Sequence, residues 1–212
     1  MADTAKPVVT FEQMMEKLKW AHAAADFVRS IGIPVHEGTP ADVAGSFVPH
    51  LRVAKGELVV NLDEVYPGDI LHEAGHLATI PAQFRHLADG TLRVVFKAMD
   101  QYLKDNPQGL GAWPEDPICR GILQCGEAEA AAWQYAAAQE IGMPDVWLFP
   151  EGSFQGEAEE TLMRLKANAY FGINGLQAAN WTRVHAMGNP ALPHYPKMAF
   201  WLYGGEVLKN AN

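Results

Sequence analysis

The sequence predicts a mainly helical α+β fold, with a small sheet placed just ahead of, and beside, a helix that carries an H-E-x-x-H motif. Three observations predict it. Apolar residues recur at helical spacing through most of the chain. Short extended runs are confined to residues 33–61. His72-Glu73-Ala74-Gly75-His76 then follows a Tyr66-Pro67-Gly68 turn. At 212 residues, 49% hydrophobic and 19% charged, the chain can bury a real core. The simplest division is a core over residues 1–145 and a C-terminal helical extension over 146–212, packed on it.

Thr10 with Gln13 spells a capping box, so a first helix runs on to Ser30 and stops at Gly32 and Pro34. Ile33 to Val35 and Ser46 to Ala54 read as extended, and Glu57 to Asn61 carries Leu58, Val59 and Val60 as a strand. Lys55-Gly56 turns between the last two, which makes them a hairpin leading into the motif helix. In that helix Asp69 is the expected N-cap, and Ile80-Pro81 is the end. Ile70, Leu71, Ala74, Leu77 and Ala78 cover its buried sides. Gly75 costs roughly 1 kcal/mol of helix propensity against Ala, which close approach by another segment would explain.

After Asp89-Gly90, the spacing of Leu92, Val95, Phe96, Met99, Tyr102 and Leu103 gives a helix packed into the core. Asp105 to Pro117, with Trp113, is a loop. Asp116 caps a long helix from Pro117 to about Ile141, with Gly142 as its stop. A further helix fits Gly156 to Tyr170, and Met198 to Tyr203 fits either a packed strand or a short helix.

A net charge of −9 and the lack of any basic run argue against nucleic acid as a partner. Met1 to Val9 lacks the apolar stretch of a secretory signal, and no segment nears about 18 uninterrupted apolar residues, so no membrane role is expected. Cys119 and Cys125, the only cysteines, lie close along a helix and read as reduced thiols, which favours the cytoplasm.

The motif carries the chemistry. At about 100° per residue, positions four apart return to within about 40° of each other, so His72 and His76 project from one face. Two neutral imidazoles so placed can hold one Zn²⁺ at about 2.0–2.1 Å. Glu73 can lean over the open side and take a proton from water. The bland alternative is two solvent-facing or core histidines that flank a glutamate by chance.

A catalytic zinc needs a third protein ligand. The metzincin pattern would put glycine and histidine where Thr79 and Ala82 stand, which excludes that class. The downstream helix offers Glu127 and Glu129, the only charged side chains between Gly121 and Gln139. A helix so poor in charge is buried on most faces, where a carboxylate should be paired or metal-bound. The two lie about 200° apart around the axis, so one alone can face the metal. Cys125 is a further candidate, since a thiolate also satisfies zinc.

Leu71-His72-Glu73-Ala74-Gly75-His76-Leu77, then Glu127-Ala128-Glu129-Ala130 with Trp133, Ala136 and Gly142-Met143-Pro144, resembles the zincin-like, gluzincin-type metallopeptidases of the ImmA/IrrE kind. The resemblance covers about Thr10 to Asp145. It implies a compact zincin-like domain, zinc as cofactor and a peptide or protein as substrate. By analogy with zincins that carry E-x-x-A-D, it maps the metal ligand onto Glu127 and its supporting acidic position onto Ala131. Ala131 cannot hydrogen-bond a ligand histidine, so that support must come from elsewhere.

The expected activity is zinc-dependent peptide hydrolysis, with His72, His76 and Glu127 on the metal and Glu73 as general base. An extra donor to the oxyanion is usual, and His185, His194, Tyr195 and Tyr170 are the candidates. His86 lies past the helix stop and reads as a surface residue. Two alternatives differ in kind. One is a regulatory peptidase with a single protein target. The other is a non-catalytic, metal-stabilised interaction domain.

Overall fold

The computed structural model describes residues 10–110, 116–150, 152–184 and 189–204. The fold is α+β and mainly helical, with one three-stranded sheet. Helix α1 (Phe11–Ser30) starts at the capping box of Thr10 and Gln13 and buries Ala21, Ala24, Ala25 and Val28, a stripe at three- and four-residue spacing. These small side chains let it lie close along α2 (Pro67–Thr79).

Strands β1 (Val35–Glu37), β2 (Leu51–Ala54) and β3 (Glu57–Val60) take the order β1-β3-β2, with β1 parallel and β2 antiparallel to β3. Lys55 and Gly56 both have positive φ, 51° and 84°, the conformation that joins twisted antiparallel strands through two residues. The expected hairpin is therefore present, but its first strand begins at Leu51 rather than Ser46. Residues 38–50 form a loop of successive turns closed by Asp42 on Thr39 and by Ser46 on Val43. Their polar side chains bond their own backbone, which competes with strand pairing.

Helix α2 differs from expectation at its start. Pro67, not a residue after Asp69, occupies the first turn, and the cap position is Tyr66 with no side-chain cap. Proline suits that place because its missing N–H would be unpaired there anyway. Asp69 thus sits inside the helix, where burial raises its carboxyl pKa to about 6, against a lowering by His72. The helix ends at Ile80 as expected.

Helices α3 (Ala82–Arg85) and α4 (Arg93–Asp105) follow. Within α4, Val95 and Met99 are buried, but Phe96 is 43% exposed and does not pack into the core. The expected long helix is two: α5 (Pro117–Leu123), capped by Asp116, and α6 (Glu127–Glu140). Between them Gln124 leaves helical geometry, and Gly126 caps α6. The Glu129 carboxylate reaches back to the Gly126 N–H at 3.0 Å, which makes this local arrangement self-supporting. Trp113 lies outside the described residues.

Helices α7 (Ala158–Lys166) and α8 (Phe171–Ala178) are the last among the described residues. The final run, Met198 to Tyr203, is neither strand nor helix; it packs irregularly through Met198, Ala199 and Trp201. One hydrophobic core joins early and late segments. Trp133 donates to the Trp201 carbonyl, Tyr195 to that of Ala132, and the Tyr203 N–H to that of Ala78. Among the described residues no helix is long and apolar enough to cross a membrane.

Candidate metal centre

Helix α2 is held on almost every side. Ile70, Leu71, Ala74, Leu77 and Ala78 are fully buried, which leaves the His72–Glu73 edge to face the clefts. Its main partner is α6, and glycines set the spacing. A Cβ on Gly75 would stand 2.8 Å from the Ala130 carbonyl oxygen, so the two backbones touch where the sequence had implied a close approach. A Cβ on Gly68 would lie 1.8 Å from the Leu148 oxygen, which shows how tightly the following loop is pressed on the start of α2.

That crossing brings Glu127 over both imidazoles. Its Oε1 is 3.0 Å from His72 Nε2, and its Oε2 is 3.1 Å from His76 Nε2. The two rings are nearly perpendicular, at 89°, with centroids 4.9 Å apart. Hydrogen bonds from His72 and then His76 hold the Glu127 carboxyl well below the usual carboxylate range. Burial pulls His72 down, but the hydrogen bond and charge of Glu127, aided by Glu73 and Gln134, outweigh it and raise its pKa.

Gln134 supplies the support that Ala131 cannot. Its Nε2 donates to the carbonyls of Gly68 and Leu148 at 3.0 and 2.8 Å. That fixes the amide, so Oε1 faces His72 Nδ1 at 3.1 Å and must accept from it. A neutral His72 therefore carries its proton on Nδ1 and presents a lone pair on Nε2, toward Glu127. Sequence reasoning missed this residue, although a signal existed. Gln134 is seven positions after Glu127, hence within about 20° of it around the helix. His76 Nδ1 is buried with no protein partner among the described residues.

The donor set fits a divalent zinc. His72, His76 and Glu127 offer two nitrogens and a carboxylate oxygen, all within 4.8 Å of one another. Tetrahedral zinc with ligands near 2.1 Å sets them about 3.4 Å apart, a small movement from the distances here. Among the described residues this is the only such cluster.

The centre lies at the seam of two cavities that share His72 and Glu127. The larger, about 850 Å³, also has Glu73 and His76 in its wall; the smaller, about 560 Å³, has Asp69, Gln134 and Tyr170. Glu73 thus lines the larger cavity beside both histidines. Of the remaining candidates, Glu129 is turned away as a cap, packed against Gly175. Cys125 is buried against Met99 and the Ile122 carbonyl, with burial pushing its thiol up to about 12. Neither joins the cluster, because each is committed on another side of the helix start.

Among the described oxyanion candidates, Tyr170 alone lines a cavity with the centre. Tyr195 spends its hydroxyl on Ala132, and His194 lies in a short bridge with Arg183, in the wall of neither cavity. His185 lies outside the described residues. His86 is exposed, as expected of a surface residue.

Comparison with protein-family models, curated proteins and solved structures finds no match to this chain.

Proposed function

We propose that this chain is a zinc-dependent hydrolase, a peptidase of the H-E-x-x-H type. One observation carries the reading: two imidazoles of α2 and one carboxylate of α6 converge on a point, with Glu73 in the wall of the adjoining cavity. The resemblance to the ImmA/IrrE-type enzymes agrees with it. Zinc held by His72, His76 and Glu127 would supply Lewis acidity, making water more acidic and a carbonyl more electrophilic.

The protein groups divide the remaining work. Glu73 takes the proton of the attacking water and passes it to the leaving amine. Gln134 keeps the His72 ring in the tautomer that offers Nε2. Tyr170, whose pKa is raised by burial and by the nearby Glu127 and Glu129 charges, stays protonated and can donate to a developing oxyanion. The peptide lies beside β2, the sheet edge nearest the centre. Cytoplasmic residence belongs to the same proposal, supported by two unpaired buried thiols.

The test pairs metal content with cleavage. Glu73→Gln should keep about one zinc per chain and lose cleavage by roughly 10²–10⁴-fold. His72→Ala should lose the metal. A Gln variant as active as the parent removes Glu73 from the mechanism. Zinc retained by a parent that yields no Glu73-dependent fragments across a proteome digest favours the non-catalytic alternative.

A further inference from the structure

Beyond the metal ligands, Phe47, Val48, Leu51, Val53, Leu92 and Phe96 form the apolar part of the larger cavity's wall, with Arg52 and Thr91 at its polar part. Phe47 is 96% exposed and Phe96 is 43% exposed. Single exposed apolar residues need no explanation. Here two phenyl rings from separate segments, the loop before β2 and helix α4, line one cleft that also holds Glu73. The smaller cavity is mixed, with Asp69, Glu157 and Arg164 beside Phe149, Phe154 and Phe171 in its wall. Of the two cavities that meet at the centre, the larger is therefore the more apolar.

The adjoining strand says what enters. In β2, Arg52 pairs with Val59 and Ala54 with Glu57, which turns the main-chain groups of Leu51 and Val53 to the outer edge. The Val53 carbonyl accepts from Gly90. The Val53 N–H remains on that edge, beside the cavity, as a donor for extended backbone.

Resting on the peptidase reading, we propose that the larger cavity seats a bulky apolar side chain, aromatic or branched aliphatic, of the substrate on the Glu73 side of the cleaved bond, and that Phe47 covers it. Phe47 is exposed and touches no core, so replacing it isolates this role from folding.

The test reads binding. Zinc-loaded full-length chain is titrated calorimetrically with N-acyl amino-acid hydroxamates that grip the metal and differ only in side chain: Phe, Leu, Ala and Asp. The Phe and Leu compounds should bind about ten-fold or more tighter than the Ala compound, the scale of a few methylenes in an apolar pocket. In Phe47→Ala and Phe96→Ala the preference should shrink to about three-fold or less, with Phe47→Trp restoring it. Equal affinities across the series, or an undiminished preference in both Ala variants, overturn the proposal alone. Failure to take up zinc overturns it together with the metal reading. A clear apolar preference in a chain that cleaves nothing upholds the seat and sinks only the hydrolase.

Discussion

Gln134 Oε1 accepts from His72 Nδ1 at 3.1 Å while its own amide nitrogen is tied to two main-chain carbonyls. The imidazole is thus oriented by a side chain that cannot itself turn over. Gln134→Met, close in volume and unable to accept, should weaken zinc binding about 10–100-fold. Competition against a chromophoric chelator measures it. Unchanged affinity would mean that the ring is held by its packing alone.

Proton competition gives a second prediction. The Glu127 hydrogen bond and charge raise the His72 pKa despite its burial, so zinc must displace a proton that the imidazole holds more tightly than usual. Apparent affinity should rise about tenfold per pH unit until that raised pKa is passed. The metal-free chain should behave in the opposite sense. A raised histidine pKa contributes stability below 6.5 that is lost as pH climbs through the folded value. A lowered Glu127 pKa contributes stability above 4.5 that is lost as pH falls through the folded value. Chelated protein should therefore melt higher at pH 6 than at pH 8, and zinc-loaded protein the reverse.

The thiols should be silent. With Cys125 pushed up to about 12 and Cys119 also raised by burial, neither should react with a disulfide reagent in the native chain, and both should react in denaturant. Cobalt in place of zinc should show no thiolate-to-metal charge-transfer band. Such a band would put Cys125 on the metal and displace Glu127.

Gly75→Ala tests the helix crossing. The new methyl would meet the Ala130 carbonyl oxygen at 2.8 Å, and backbone cannot move aside cheaply. A net loss of about 1–3 kcal/mol should follow despite better helix propensity. For a domain this size that is roughly 2–4 °C of melting temperature per kcal/mol. Zinc affinity should fall with it, because the same displacement separates Glu127 from the histidines.

Tyr170→Phe should lower kcat while leaving metal content and melting temperature in place, since the ring still packs and only the hydroxyl is lost. A fall of about 10²–10³-fold is the scale for one oxyanion donor. A drop in melting temperature with no change in kcat would assign Tyr170 to the core instead.

Much of the helical layout was legible because local signals agreed with the fold. Thr10 and Gln13 fix the start of α1, and Ile80-Pro81 the end of α2, by chemistry confined to a few residues. Gly75 gave away the contact with α6 because a glycine inside a buried helix has few other reasons to be there. The break before α6 was harder to see, since apolar periodicity runs straight across Cys125. The pairing of Gly126 with Glu129 was the sign of a new helix start. Phe96 departs from the expected core because helical spacing marks an apolar face without saying whether the rest of the chain covers it.

The site was legible in part for the same reason. Two histidines one turn apart need only helix geometry, whereas choosing Glu127 over Glu129 depends on where α6 begins. Gln134 was hidden because its partners, Gly68 and Leu148, become neighbours only through tertiary packing.

The interruption at Gln124–Gly126 makes Glu127 the first residue of its helix. A carboxylate at that end sits in the positive field of the aligned peptide dipoles and is less basic for it. It would surrender less electron density to a cation, leaving that cation a stronger acid toward water. Fusing the two helices into one would blunt that field as well as shift the side chain. The place where one helix stops and the next begins is thereby an electronic setting of the centre.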